Sequence, residues 1–324
     1  MRIKRAMAIV ALGLLGLCGG MAWAANVDAA ASAECTKCHD EEDLPAWQRS
    51  AHAQASDPRT PTCVTCHGAS TGHAHKPAGV KEQPRPDRTF KKNSTTPIAE
   101  RNAACLTCHQ KDAKRAMWGG SQHQSADLAC SSCHRIHTNN DQVMARATQV
   151  DVCVTCHKEQ RAQLAKPSHH PLPEGKMTCT DCHNVHGSAG PKLVKRDSTN
   201  ATCYACHAEK RGPFVNGHEP VQEDCAICHN PHGSTVEAML KTRAPMLCQQ
   251  CHTPHVAGGV GAVGGQPGVF QRAPGQLAPA VTGTSSGKNV VNLWQGRSCL
   301  NCHTQVHGSN NPSATNPTPR LFFR

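Results

Sequence analysis

Aromatic side chains are scarce in this chain, with one Tyr, five Phe and four Trp among 324 residues. Beside them stand 22 Pro and 26 Gly. Such a composition excludes a conventional apolar core of the size a chain this long normally buries. Long apolar runs are also missing after the first two dozen residues, and no later stretch offers the ~18 apolar residues of a membrane helix. No cysteine after Cys18 stands outside one recurring pattern, which leaves none for a separate disulfide framework. Something other than side chains must supply the apolar mass.

The N-terminus, "MRIKRAMAIVALGLLGLCGGMAWA", joins basic Arg2, Lys4 and Arg5 to an apolar run from Met7 to Cys18 and a small-x-small end at Ala22-Trp23-Ala24. Residues 1–24 read as a cleaved secretory signal and 25–324 as the exported protein. Leu17 is too large for a lipoprotein site at Cys18. Losing the three leader charges takes the formal charge from +11 to +8. The basic residues are scattered and the protein is exported, so nucleic acid is not an expected partner.

What is present in excess is cysteine and histidine, 21 and 22 residues. The twenty cysteines after Cys18 all fall in Cys-x-x-Cys-His motifs, as Cys35/Cys38, Cys63/Cys66, Cys105/Cys108, Cys130/Cys133, Cys153/Cys156, Cys179/Cys182, Cys203/Cys206, Cys225/Cys228, Cys248/Cys251 and Cys299/Cys302. Disulfides give no reason for a His after every second Cys, and zinc half-sites do not require one. The c-type haem site requires all three residues, two thiols for the vinyl groups and an imidazole for the iron. Ten covalently bound haem c groups follow, and porphyrin replaces the missing core. With about −1 from each oxidised haem and its propionates, the excess Lys and Arg read as propionate partners.

Ten histidines belong to the motifs as proximal ligands: His39, His67, His109, His134, His157, His183, His207, His229, His252 and His303. Twelve remain, and two neighbour pairs among them, His73/His75 and His169/His170, reduce the supply to ten sites. Bis-histidine ligation of every haem is expected, with distal ligands His52, His73, His123, His137, His170, His186, His218, His232, His255 and His307. The five methionines after the leader, Met117, Met144, Met177, Met239 and Met246, are too few to serve instead.

The motifs alternate between two types. In the first, a helix-favouring run and a breaker precede a lone His, as in "CHQKDAKRAMWGGSQH" and "CHKEQRAQLAKPSHH". In the second, the extra His follows almost at once, as in "CHRIH", "CHNVHGS", "CHNPHGS", "CHTPH" and "CHTQVHGS". Together they form two-haem repeats starting at 35, 105, 153 and 203, a period suited to a stacked linear array. The last two motifs depart from it, both being second-type and separated by a linker. In "CTDCHNVHG", His186 lies three residues beyond His183. Three residues span at most ~11 Å, too little to pass round a macrocycle, so His186 is expected on a neighbouring haem, as are His137, His232 and His255. The expected fold is a multihaem cytochrome c with little regular secondary structure, short α-helices and loops wrapped around a quasi-linear haem stack.

The ten motifs, the leader, the alternating repeat and the ending "CLNCHTQVHGSNNPS" resemble the periplasmic decahaem cytochromes of the MtrA/DmsE type across the mature chain. The resemblance implies a non-enzymatic haem wire that sits inside an outer-membrane β-barrel porin. It would pass electrons between periplasmic or inner-membrane electron-carrying cytochromes and an outer-surface multihaem cytochrome or an extracellular acceptor. Metal reduction and iron oxidation are such uses. The expected location is the periplasm, in association with the outer membrane. A free periplasmic shuttle and a multihaem redox enzyme are the other readings open to such a sequence.

Three segments carry no haem motif. Residues 76–101 are basic, with Lys76, Lys81, Arg85, Arg88, Lys91, Lys92 and Arg101. They read as a solvated insertion, with a docking loop for an acidic carrier as the alternative. Residues 256–297 read as a flexible Gly/Pro-rich linker. The C-terminal tail, 308–324, ends in Phe322 and Phe323, which either dock a partner or pack over the last haem.

Overall fold

The structure, a computed structural model, describes residues 32–39, 44–54, 56–252, 299–301 and 303–310. Residues 1–24, read above as a leader, residues 256–297, read as a linker, Phe322 and Phe323, and two candidate site residues, His255 and Cys302, lie outside the described residues. The chain divides into two units, residues 1–152 and 153–324.

Regular structure is sparse. The longest helix among the described residues, Ile98–His109, has 12 residues, and the one sheet among them pairs β1 (Asn216–Gly217) with β2 (Gly308–Ser309) in antiparallel register. The protein atoms alone bury only four apolar side chains among the described residues: Ala104, Ala129, Val154 and Leu164. Eleven polar or charged residues are buried beside them. Among the described residues side-chain packing therefore does not hold the chain together, in keeping with its composition.

Each motif is one helical turn. The His N–H donates to the carbonyl of the first Cys at 3.1 Å in His39, 2.9 Å in His134, 3.0 Å in His183 and 2.8 Å in His303. One turn brings positions i, i+3 and i+4 onto the same face, which is why two residues separate the cysteines and none precedes the His. Capping boxes start two of these turns, Thr62 with Thr65 and Thr178 with Asp181.

The helix-favouring run after His157 forms Lys158–Leu164 as its residues suggest. The run after His109 does not stay helical. Asp112 accepts from the Lys114 backbone N–H at 2.9 Å and starts a separate short turn, Ala113–Arg115.

Segments 179–195 and 225–241 fold alike. Asn184 donates to the Leu193 carbonyl and Lys195 to that of Cys182, each at 2.8 Å. Asn230 and Met239, and Lys241 and Cys228, repeat both bonds at 2.8 Å. The return strand of each loop passes through a left-handed pair, Lys192-Leu193 (φ 51° and 60°) and Ala238-Met239 (φ 54° and 54°).

Candidate haem sites

A six-coordinate haem iron lies about 2 Å from each ligating nitrogen, which separates the two imidazole centres by about 6 Å. Histidine pairs match that spacing in both units. In residues 1–152 they include His39–His73 (6.1 Å), His52–His109 (6.0 Å) and His67–His137 (5.9 Å). In residues 153–324 they include His170–His207 (6.3 Å), His183–His232 (6.1 Å), His218–His252 (6.0 Å) and His229–His307 (6.1 Å).

Each of these pairs joins a motif His to a non-motif His, and none joins a motif His to the His that follows it. His183 faces His232 rather than His186. His73, not His75, faces His39, and His170, not His169, faces His207. Both ring nitrogens of His169 are engaged instead, Nδ1 by the Lys166 carbonyl and Nε2 by Glu174 at 3.1 Å. His123, His157, His186 and His303 are engaged by other contacts.

The ring orientations suit metal ligation. Nδ1 donates to a backbone carbonyl in His67 (Arg88, 3.0 Å), His73 (Pro84, 2.7 Å), His170 (Pro231, 2.8 Å), His183 (Lys192, 3.0 Å), His218 (Val306, 2.9 Å) and His229 (Ala238, 2.7 Å). That bond puts the proton on Nδ1 and leaves Nε2 to the iron. Burial pushes His52, His67, His109, His183, His232 and His307 below the usual imidazole value, with Arg115 adding to the effect at His109. These rings are held neutral, as metal ligation requires.

The left-handed pairs have a use here. They turn the Lys192 and Ala238 carbonyls onto His183 and His229. The segment 76–101 is largely exposed, as a solvated insertion would be, with Lys76, Lys81, Arg85, Lys91 and Lys92 at the surface, but its backbone has a further role. Its Pro84 and Arg88 carbonyls hold His73 and His67, its Asp87 carboxylate accepts from the Ser70 N–H at 2.8 Å, and its Phe90 carbonyl accepts from Ser131 at 3.1 Å. Like the loops after His183 and His229 it offers carbonyls to ring nitrogens, but by a different backbone path, with Arg88 N–H donating to the His67 carbonyl at 3.1 Å.

The distal histidines are also tied to each other. Ser168 bridges Ser234, and His170 then reaches the Pro231 carbonyl beside His232. Asn216 pairs with Ser309, and His218 reaches the Val306 carbonyl beside His307. Gly233 (φ +144°) and Gly308 (φ +138°) allow this approach. A Cβ at Gly233 would collide with the Gln163 carbonyl oxygen, and one at Gly308 with the Phe214 ring.

The two cysteines of a motif, both expected as attachment points, differ in their surroundings. The first cysteine of every motif is half-buried. The second is exposed in six motifs, at Cys38, Cys108, Cys133, Cys156, Cys206 and Cys251, and half-buried only at Cys66, Cys182 and Cys228 among those described. The protein therefore does not enclose these six candidate cofactor-binding residues in a pocket of its own, as a buried binding side chain would be. The reason lies in the turn and in the composition. The first cysteine opens the turn against the neighbouring motif, while the second closes it on the outer side, where few large side chains exist to cover it. A thiol that bonds to a vinyl group needs an open approach, and the macrocycle itself is the apolar body that would cover the sulfur.

The first cysteines also pair across motifs. Sulfurs of consecutive motifs touch as Cys35–Cys63, Cys105–Cys130, Cys153–Cys179, Cys203–Cys225 and Cys248–Cys299. The last two motifs, set apart in sequence by the linker, thus make the same contact as the others. In the free thiols, burial raises Cys203 to about 12, whereas hydrogen bonds from Cys105 and Cys153 lower Cys130 and Cys179. None of the described cysteines forms a disulfide. Among the described residues no three His, Cys, Asp or Glu side chains converge on one point, as a zinc site would need.

In three of the four first-type motifs a polar residue three positions before the first cysteine secures this contact, at a position outside the Cys-x-x-Cys-His pattern. Asn102 Oδ1 accepts from the Cys130 N–H at 2.8 Å, Asn200 Oδ1 from Cys225 at 2.7 Å, and Ser32 Oγ from Cys63 at 3.0 Å. Before Cys153 the same position holds Val150, so the three polar residues do not form a complete pattern in the sequence.

Paired cysteines on helical turns and facing imidazoles of fixed tautomer define a multihaem c-type cytochrome, wrapped in loops and short helices. Comparison with known proteins agrees. The doubled CXXCH motif model matches residues 169–212 and 218–257, and the model of cytochrome c-type protein NrfB-like chains matches residues 63–150. The multiheme cytochrome MtrA of Shewanella baltica is 42% identical over 287 residues, covering 86% of this chain and 78% of that protein. The cytochrome c-type protein NrfB of Escherichia coli is 31% identical over 42% of this chain and 68% of its own. The high-molecular-weight cytochrome c of Nitratidesulfovibrio vulgaris is 26% identical over 55% of this chain and 34% of its own. The chain belongs to the MtrA family of multihaem cytochromes, and it transfers electrons through covalently bound haem c.

Proposed function

We propose that this chain holds ten haems and conducts electrons between the periplasm and the cell exterior, seated within an outer-membrane β-barrel. The observation that carries the conductor reading is the pairing of histidines across motifs. A haem attached through one motif takes its second ligand from another, so each loop fastens two haems. The touching cysteine pairs fasten two more edges together. Such a chain suits hopping between near neighbours, and its residues have a plain division of labour. The cysteines fix each macrocycle, the paired imidazoles hold the iron six-coordinate, and the loop carbonyls orient the rings. Full coordination leaves substrate no open iron position, which favours electron transfer over enzymatic turnover.

The barrel, the exported location, the periplasmic or inner-membrane donors and the outer-surface acceptor rest on the family resemblance and the leader. The test is extraction of native membranes in mild detergent, followed by trypsin and a pyridine haemochrome assay. Ten haems per chain in a protease-resistant complex with a β-barrel are expected. A free, protease-sensitive chain with ten haems would replace the conduit by a periplasmic shuttle. A five-coordinate haem in the electron paramagnetic resonance (EPR) spectrum would favour an enzyme.

A further inference from the structure

His134 differs from the six ligand histidines that donate to backbone carbonyls. Its Nδ1 meets a carboxylate, Asp141 Oδ2, at 2.7 Å. The contact is built in. Asp141 Oδ1 accepts from the Arg135 N–H at 3.2 Å, and the Asp141 carbonyl accepts from Met144 and Ala145 at 2.9 and 3.2 Å. Its side chain is only 18% exposed and that of His134 26%. A second carboxylate lies near a motif histidine, Glu209 beside His207, but its oxygen is 3.7 Å from Nδ1 and both side chains are more than half exposed.

A carboxylate on Nδ1 pulls the imidazole toward imidazolate, makes it a stronger donor to its metal, and adds a negative charge nearby. Both effects favour iron(III) over iron(II). The same carboxylate also bears electrostatically on His52, which faces His109, and the motifs of His109 and His134 touch through Cys105 and Cys130. We propose that Asp141 is a positioning residue that holds the haem of Cys130, Cys133 and His134 at low potential, making it a low-potential step within the array. Electrons would pass it by hopping through a haem that rests oxidised while its neighbours are reduced.

This inference rests on the reading of the chain as a haem conductor, and the two fail differently. The experiment is a potentiometric titration of the haem-loaded full chain, followed by optical and EPR spectra, for the native protein, Asp141→Asn and Asp141→Glu. With full haem content, Asp141→Asn should move one haem's share of the signal out of the low-potential limb. A roughly tenfold change in that haem's oxidised-to-reduced ratio is expected, about 59 mV for one electron. Asp141→Glu should restore the native curve. Superimposable curves at full haem content would overturn the assignment of Asp141 and leave the conductor reading intact. A uniform shift of all haems would also overturn it. A native haem count below ten would instead strike the conductor reading. Should Asp141→Asn fail to load haem, pulse EPR of the native protein with ¹⁵N-labelled histidine decides. One imidazole with couplings displaced toward imidazolate supports the proposal, and uniform couplings refute it.

Discussion

A histidine in this chain is defined by what its two nitrogens face. His169 and His170 are neighbours, but His169 spends both nitrogens on the Lys166 carbonyl and Glu174, while His170 keeps Nε2 toward His207. Replacing His170 by Ala should therefore give one high-spin haem by EPR, and His169→Ala should leave the spectrum low-spin. Ring orientation makes a second prediction. The His52 and His109 planes stand at 79°, against 12° for His229 and His307. Near-perpendicular imidazoles leave the iron dπ orbitals nearly degenerate, whereas parallel ones split them. The EPR spectrum should contain both a highly anisotropic low-spin signal and ordinary rhombic ones. His109→Met should remove the first selectively.

At the scale of the element, the repeat is held by buried polar bonds. Asn200 Nδ2 donates to the Val221 and Gln222 carbonyls at 2.9 and 3.0 Å, while its Oδ1 takes the Cys225 N–H. Asn200→Ala orphans those groups and should cost about 1–3 kcal/mol, read as a lower denaturation midpoint of the haem-loaded protein. The loop after His229 works against its own backbone preference, because Ala238 sits at φ 54°. Ala238→Gly should relieve about 1 kcal/mol and raise the thermal midpoint, with the haem spectrum unchanged because the carbonyl that holds His229 remains.

For the whole molecule, coordination replaces packing, and this sets the response to acid. Burial lowers the values of His52, His67, His183, His232 and His307 in the folded chain. Below the unfolded value of about 6.5 the unfolded chain binds more protons than the folded one, so stability rises with pH across that window. The contribution is complete above about 6.5 and is lost as pH falls toward the lowered values. Denaturation midpoints should be level from neutral pH upward and drop on acidification, with high-spin haem appearing over the same interval.

The chemistry of attachment is legible in the residues alone. Two thiols and an imidazole at i, i+3 and i+4 form one helical turn, so "CTDCHNVHG" names a haem site wherever it lies. Composition also determined that no side-chain core would form. The run 110–118, by contrast, carries helix-favouring residues yet breaks at Asp112, because a side-chain cap there outcompetes propensity. The unlike surroundings of the two thiols in one motif were not legible either. Cys105 lies half-buried against Cys130 while Cys108 is exposed, because only the first faces the neighbouring turn. The direction of each distal ligand likewise depended on tertiary structure. Chain reach alone kept His186 off the haem of His183, but that His232 takes this place was decided by the fold, which brings a separate strand of chain to the far face. The basic side chains of residues 76–101 are mostly solvated, as their sequence suggests, but the groups that act are the carbonyls of Pro84 and Arg88, which every residue type possesses. Asp141 was one acid among many until the fold set it 2.7 Å from His134. Covalent attachment is local and legible in sequence. Ligand exchange between motifs and the hydrogen bonds that tune it are long-range, and the fold alone decides them.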